Sequence, residues 1–298
     1  ATGIIQHHAG IRITNSPNLI FAGSFSGDGG PGASAGLNFP TALTIASDGA
    51  LLVSDTSNNR IRRLTSVINT VAGRRRNLAE GPAADLELSD LSDIQFTAAG
   101  DLIVAIRSEG VVGRISSGRF SVIAGVRPDD RSALTDTFSF FPARISTGVA
   151  PTSGPANRVT FESLNAAIPA ADGKIYVLDT NHIGVIENNT ARRIFTLDPA
   201  TTSCSSLALD ESSQTLYLAC RSNHRVFAID LRASTLTARP VAGTGSAGFT
   251  SDSGSALSSA LNDPSAIAVD PQGRLLIADT NNARVRRVSA DGQISTLA

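Results

Sequence analysis

From residue 41 onward, apolar and polar residues alternate with a period of two. "TALTIAS" (41 to 47) is followed by Asp48-Gly49 and then by "LLVSD" (51 to 55), the pattern of two half-buried strands joined by a tight hairpin. A "TSNN" corner, the alternating stretch "RIRRL" (60 to 64) and "INTVAG" (68 to 73) complete four short strands in meander order. Val, Ile, Leu and Thr enrichment suits pleated surfaces, and no segment carries a convincing helical period.

The unit recurs. "SAIAVD", "RLLIAD", "TNNA", "RVRRV" and "QISTLA" (265 to 298) match the first copy element for element, and "SSLALD", "TLYLAC", "RSNH" and "RVFAI" (205 to 229) form a third. Weaker copies lie at 93 to 125 and 164 to 197. Marker residues Asp55, Ile106, Asp179, Cys220 and Asp279 are spaced by 41 to 73 residues, as expected of four-stranded blades with variable links. The expected fold is therefore an all-β, six-bladed β-propeller of four-stranded antiparallel blades. One domain spans 1–298, with blades near 39–73, 88–125, 158–197, 201–243 and 261–298 and a long insertion loop at 126–160. Residues 3–23 align with the second to fourth strands of a sixth blade, left incomplete because no innermost strand is assigned to it. That strand is expected from a longer protein; the alternative is that residues 1–6 rearrange and close the ring.

The stretch 40 to 64, with its D-G hairpin and "LLVSDTSNNRIRRL", is preceded by "GDGGPGASAGLNFP" (27 to 40), which recurs in eroded form at 243 to 264. These motifs resemble the NHL-repeat family of six-bladed β-propellers, of the bacterial and extracellular type. The resemblance implies the fold; it leaves function open, because propellers host many activities.

Within the repeated corner, Asp55 and Asp279 sit where a strand ends and are expected to accept backbone amides of the following turn. Asn58 and Asn282 suit a left-handed turn conformation. Arg60 and Arg284 are expected to reach back toward the Asp. The motif reads as structural.

Composition narrows the partners. With 25 Lys and Arg against 26 Asp and Glu the chain is nearly neutral, so it lacks the basic footprint of a nucleic-acid binder. No apolar run approaches the roughly 20 residues of a membrane helix. The four histidines, His7, His8, His182 and His224, are not spaced one per inner strand, as the zinc-dependent NHL-like lyases would require. No metal or cofactor is expected. A nucleophile elbow is missing, and "GDGGPG" precedes a strand rather than a helix.

Cys204 and Cys220 flank one hairpin at opposed positions, so a cross-strand disulfide is feasible where the register brings their Cα atoms within bonding reach. Such a bond points to an oxidising compartment. "NNT" (188 to 190) makes Asn188 a glycosylation acceptor. Arg74, Arg75 and Arg76 cluster in one interblade loop, and Phe138, Phe140 and Phe141 lie on the long one. These six are the candidate partner contacts.

The expected function is a non-catalytic, secreted or cell-surface binding or scaffold module of a larger adhesive, sensory or assembly protein, contacting protein or glycan. An enzyme, a lyase or lactonase-like hydrolase at one mouth of the channel, is the alternative.

Overall fold

The computed structural model describes residues 9, 25–73, 81–86, 88–126, 138–139, 153–180, 182–198, 203–250 and 252–298. Among them the chain is an all-β propeller whose strands form five antiparallel blades. The first holds β1 (Pro40–Ile45), β2 (Leu51–Asp55), β3 (Arg60–Leu64) and β4 (Ile68–Ala72). β5 (Leu91–Phe96), β6 (Leu102–Ile106), β7 (Val111–Ser116) and β8 (Arg119–Ala124) make the second. The third consists of β9 (Leu164–Pro169), β10 (Ile175–Asp179), β11 (His182–Glu187) and β12 (Thr190–Thr196). β13 (Cys204–Asp210), β14 (Thr215–Cys220), β15 (Arg225–Asp230) and β16 (Arg239–Ala242) form the fourth, and β17 (Pro264–Val269), β18 (Leu275–Asp279), β19 (Arg284–Val288) and β20 (Gln293–Thr296) the fifth. Each runs as a meander from its inner to its outer strand, and three gain a short fifth strand at the outer edge.

Five blades are found where six, the last incomplete, were expected. The residues assigned to the incomplete blade, 3–23, lie outside the described residues except for Ala9. So does most of the insertion loop; within it Phe138–Ser139 pairs in parallel with Val159–Thr160.

The chain divides into two compact units. Residues 6–169 with 187–191 contain the first two blades. Their core is Leu52 and Ile61 packed with Leu91, Ile94, Val104, Ile106, Val111 and Phe120, so the apolar face of one blade closes on the next. Residues 170–186 and 192–298, with 1–5, contain the last two. There Ala219 and Val226 pack with Ile267, Ile277, Val288 and Ile294. The second strand of the second blade, Leu102–Ile106, is apolar and buried along its whole length, as a strand covered on both faces is.

The links repeat as faithfully as the strands. Ala83 donates its amide to Gly118 of its own blade while its carbonyl accepts from Gly73, which ends the preceding blade. Ala256 does the same with Gly292 and Gly243. Both alanines are buried. Gly73 and Gly243 have φ of +83° and +92°, and a Cβ on either would lie 2.1 Å from the carbonyl oxygen of Asn59 or His224. Only glycine fits so close a passage of two backbones.

Candidate functional site

Two corners, 224 positions apart in sequence, share one construction. β2 ends at Asp55, a short 3-10 turn runs through Thr56–Asn58, and β3 begins at Arg60. Asp55 Oδ1 accepts the Asn38 amide at 2.6 Å, and Asn58 Nδ2 donates to both carboxylate oxygens at 2.9 Å. Arg62 Nη1 lies 3.2 Å from Asp55 Oδ2, and its Nη2 lies 2.9 Å from Asp28. Arg62 also donates to the carbonyls of Ser26 and Gly36. The Phe25 ring covers the pair Arg60 and Arg62, with guanidinium carbons 4.0 and 4.8 Å from its centroid, a cation–π arrangement.

The fifth blade repeats these contacts. Asp279 accepts the Asn262 amide at 2.7 Å and Asn282 Nδ2 at 2.8 Å. Arg286 stands 3.6 Å from Asp279 and 3.3 Å from Asp252, and Phe249 lies over Arg284 and Arg286 at 4.2 and 5.0 Å.

Three expectations about the corner change. The amide bound by each Asp comes from the link before the inner strand rather than from the following turn. The left-handed residues are Asn59 and Ala283 (φ +54° and +50°), while Asn58 and Asn282 lie within the 3-10 turn and use their side chains. The arginines that meet the Asp are Arg62 and Arg286. Arg60 instead donates to the Gly73 carbonyl, and Arg284 to that of Asn282. Packing is the reason: Arg60, the register partner of Asp55, and Arg62 share one face of β3, but it is Arg62 whose buried side chain reaches the carboxylate.

Chemically the corner is a latch. Asp55 is surrounded by an amide, a carboxamide and a guanidinium, which consume its acceptor capacity. It ties link, turn and third strand together and has no lone pair directed at solvent.

The other marker positions depart from this plan. Ile106 makes the second corner apolar, and Asp179 is buried opposite His182 in the register of β10 and β11. At the fourth, Cys220 is bonded to its register partner Cys204. Their Cα atoms are 3.7 Å apart, closer than the usual 4.4 to 6.8 Å. Nearby, Arg221 grips Asp263 through two bonds of 2.7 Å, and His224 Nδ1 accepts the Asp263 amide. The Arg221 side chain above all holds the Asp263 carboxyl below its ordinary value.

Among the remaining candidates, Asn188 is exposed in the β11–β12 turn, where it and Asn189 both have positive φ. That is what a type I′ hairpin demands. His182 opens β11 and is buried; burial, then Arg193, depresses its pKa. Phe138 lies in the short parallel pair. Arg74, Arg75, Arg76, Phe140, Phe141, His7 and His8 lie outside the described residues. Among the described residues no three His, Cys, Asp or Glu side chains converge as metal ligands would.

One group escaped the sequence reading. Asp93 sits in the middle of inner strand β5, buried, and its Oδ2 accepts the Ala167 amide of β9 at 3.1 Å. Gln95 donates to Oδ1 at 3.2 Å. Burial outweighs these bonds and pushes the carboxyl from 3.8 up to about 6. The available signal was an acid in the middle of an inner strand, "LSDIQF" (91 to 96), where the other copies carry Ala or Ser.

The Teneurin NHL domain profile matches residues 144–298, and the NHL repeat profile matches residues 37–64. No curated protein matches the chain. A gluconolactonase from Xanthomonas campestris aligns at TM-score 0.57 and 14% identity, over 87% of this chain and 75% of its own. Virginiamycin B lyase from Staphylococcus aureus gives 0.51 and 13%, over 86% and 69%. The nidogen/laminin complex gives 0.57 and 11%, over 86% and 82%. At such identities these structures share a fold with this chain and nothing finer. The profile match, which covers more than half of the sequence, goes further: the chain belongs to the Teneurin NHL domain family.

Proposed function

We propose that this propeller is a non-catalytic extracellular or cell-surface module of a larger adhesive, sensory or assembly protein, which binds a protein or a glycan through its loops. The observation that supports it most is the Cys204–Cys220 bond, because structural disulfides persist in oxidising compartments. Teneurin NHL domain membership and the exposed Asn188 in an N-N-T run agree with that placement. The buried carboxylate of Asp55, its acceptor capacity taken up by Asn38, Asn58 and Arg62, favours scaffold over chemistry. Contact is assigned to Arg74, Arg75 and Arg76 and to Phe138, Phe140 and Phe141, which supply cationic and aromatic anchors in interblade loops.

The test presents the secreted, disulfide-bonded protein to a panel of ectodomains and glycans. Saturable binding that is lost in an Arg74→Ser, Arg75→Ser, Arg76→Ser triple variant, or in the corresponding Phe138, Phe140, Phe141 triple, is the expected result. Turnover of lactones or esters by the protein, unaffected in both triples, overturns it.

A lyase or lactonase-like hydrolase is the second reading, and Asp93 is what favours it. A carboxyl with a pKa of about 6 on an inner strand exchanges protons near neutrality, and the fold is shared with a gluconolactonase and a lyase. On this reading Asp93→Asn abolishes turnover.

A further inference from the structure

Among the described residues, one face of the first blade is covered over its outer strands and exposed at its inner one. Directly opposed residues share a face of a sheet. One row here runs Ile45, Leu51, Leu64, Ile68, and the next runs Leu43, Val53, Arg62, Thr70. Leu64 and Ile68 are buried with Ala35, and Ala9, Leu37 and Leu51 pack against them. Val53, Arg62 and Thr70 are buried as well. Leu43 and Ile45, at the inner end of the same rows, are 56% and 66% exposed.

The repeat itself defines what fits there. Leu43 is the fourth residue of its inner strand, and the fourth residues of the others, Ile94, Ala167, Leu207 and Ile267, are all buried. Ile94 packs on Leu52 and Ile61 of the preceding blade, and Ile267 on Ala208, Ala219 and Val226 of its own predecessor. The third residue of the preceding inner strand supplies the polar contact: Asp93 accepts the Ala167 amide at 3.1 Å, and Ser206 Oγ accepts the Ile267 amide at 3.3 Å.

We propose that Leu43 and Ile45 are the seat of one further extended β-strand, brought by a partner polypeptide. The occupant continues an interface that the molecule already makes between its inner strands. Its chemistry follows from that interface: an extended segment with Ser or Asp opposite the Leu43 amide and uncharged, apolar residues over Leu43 and Ile45. The seat lies on an inner strand, apart from the loops assigned to ligand contact, so it does not depend on that assignment.

The probe is a synthetic peptide of residues 203–210 bearing Cys204→Ser, an inner strand whose Ser206 already plays this part. Hydrogen exchange of the Leu43 and Ile45 amides, which point away from β2 because the Ala42 and Ala46 amides point toward it, is followed in the 298-residue protein, alone and with millimolar peptide. Fast exchange alone, slowed at least fivefold by the peptide and not by a scrambled one, is expected, with the slowing lost in Leu43→Asp and in Ile45→Ser. Both side chains are exposed, so these variants keep the fold; an unchanged melting temperature checks that. Slow exchange in the dilute protein alone overturns the proposal, because the chain then covers its own seat. Protection that rises with protein concentration alongside a dimer in light scattering overturns it in favour of a second copy. Absence of any slowing by the peptide overturns it as well.

Discussion

Asp55 Oδ2 stands 3.2 Å from Arg62 Nη1 with both side chains fully buried. Neither charge has water to fall back on: Asp55 is compensated by Arg62, and Arg62 by Asp55 together with Asp28. Arg62→Met is expected to lower stability by about 3–5 kcal/mol, leaving Asp55 uncompensated. Urea denaturation measures it. The double variant with Asp55→Ala should cost less than the two single costs added together, because both residues act in one network. A loss below about 1 kcal/mol for Arg62→Met, the level of an exposed pair, means that Asn38 and Asn58 hold the carboxylate by themselves.

Asp93 makes stability depend on pH in the opposite sense to most carboxylates. Its folded pKa of about 6 lies above the 3.8 of an open chain, so the folded state binds the proton more tightly. The contribution is fully present below about pH 3.8 and is lost as pH rises through about 6. That interval is worth about 3 kcal/mol at most. The strands packed against β5, namely β1, β6 and β9, bring no titratable side chain, and β2 brings only Asp55. Asp93→Asn keeps an acceptor for the Ala167 amide and removes the ionisation. Its melting temperature relative to the unsubstituted protein should rise between pH 5 and 8; a constant difference across that range would falsify the raised pKa.

Much of this architecture is legible from the sequence, and the limits are physical. Period-two alternation locates the strands, and D-G turns mark hairpins of the first, third and fifth blades (Asp48-Gly49, Asp172-Gly173 and Asp291-Gly292). Corner partners were harder to assign. Arg60 and Arg62 differ by two positions on one strand, and only packing shows that the second is buried beneath Phe25 while the first turns to the Gly73 carbonyl. Phe25 and Asp28 belong to the same corner as Arg62 yet lie 34 or more residues before it, beyond any local rule. Their counterparts Phe249 and Asp252 keep the same offset of 224, the one cue that a comparison of copies offered. Cys204 and Cys220 were readable because a hairpin fixes its own register.

The Cys204–Cys220 bond closes a loop of sequence separation 16 at the corner where the first, third and fifth blades use an Asp. Closing a loop of that size restricts the unfolded chain by about 3 kcal/mol. The Cys204→Ser, Cys220→Ser double variant is expected to lose about that much in denaturant titration. Reductant should destabilise the parent protein and leave the variant unchanged. Equal sensitivity of both to reductant means that the thiols were not paired.

Phe39 occupies the residue just before an inner strand, with φ of +50°. Asp90, Ser203 and Asp263 hold the same place in their blades with φ between +51° and +64°. The turn into these four strands therefore uses a left-handed residue, a conformation that Asp and Asn adopt far more easily than a bulky aromatic. Phe39 is 64% exposed, so little burial offsets its strain. Phe39→Asp should raise stability by about 1 kcal/mol, the low end of what a left-handed bulky residue costs. Thermal and urea denaturation read the change directly. A loss in place of that gain means that the ring rests on a surface which Asp cannot cover, and Phe39 then belongs with the apolar residues that shield the inner strand.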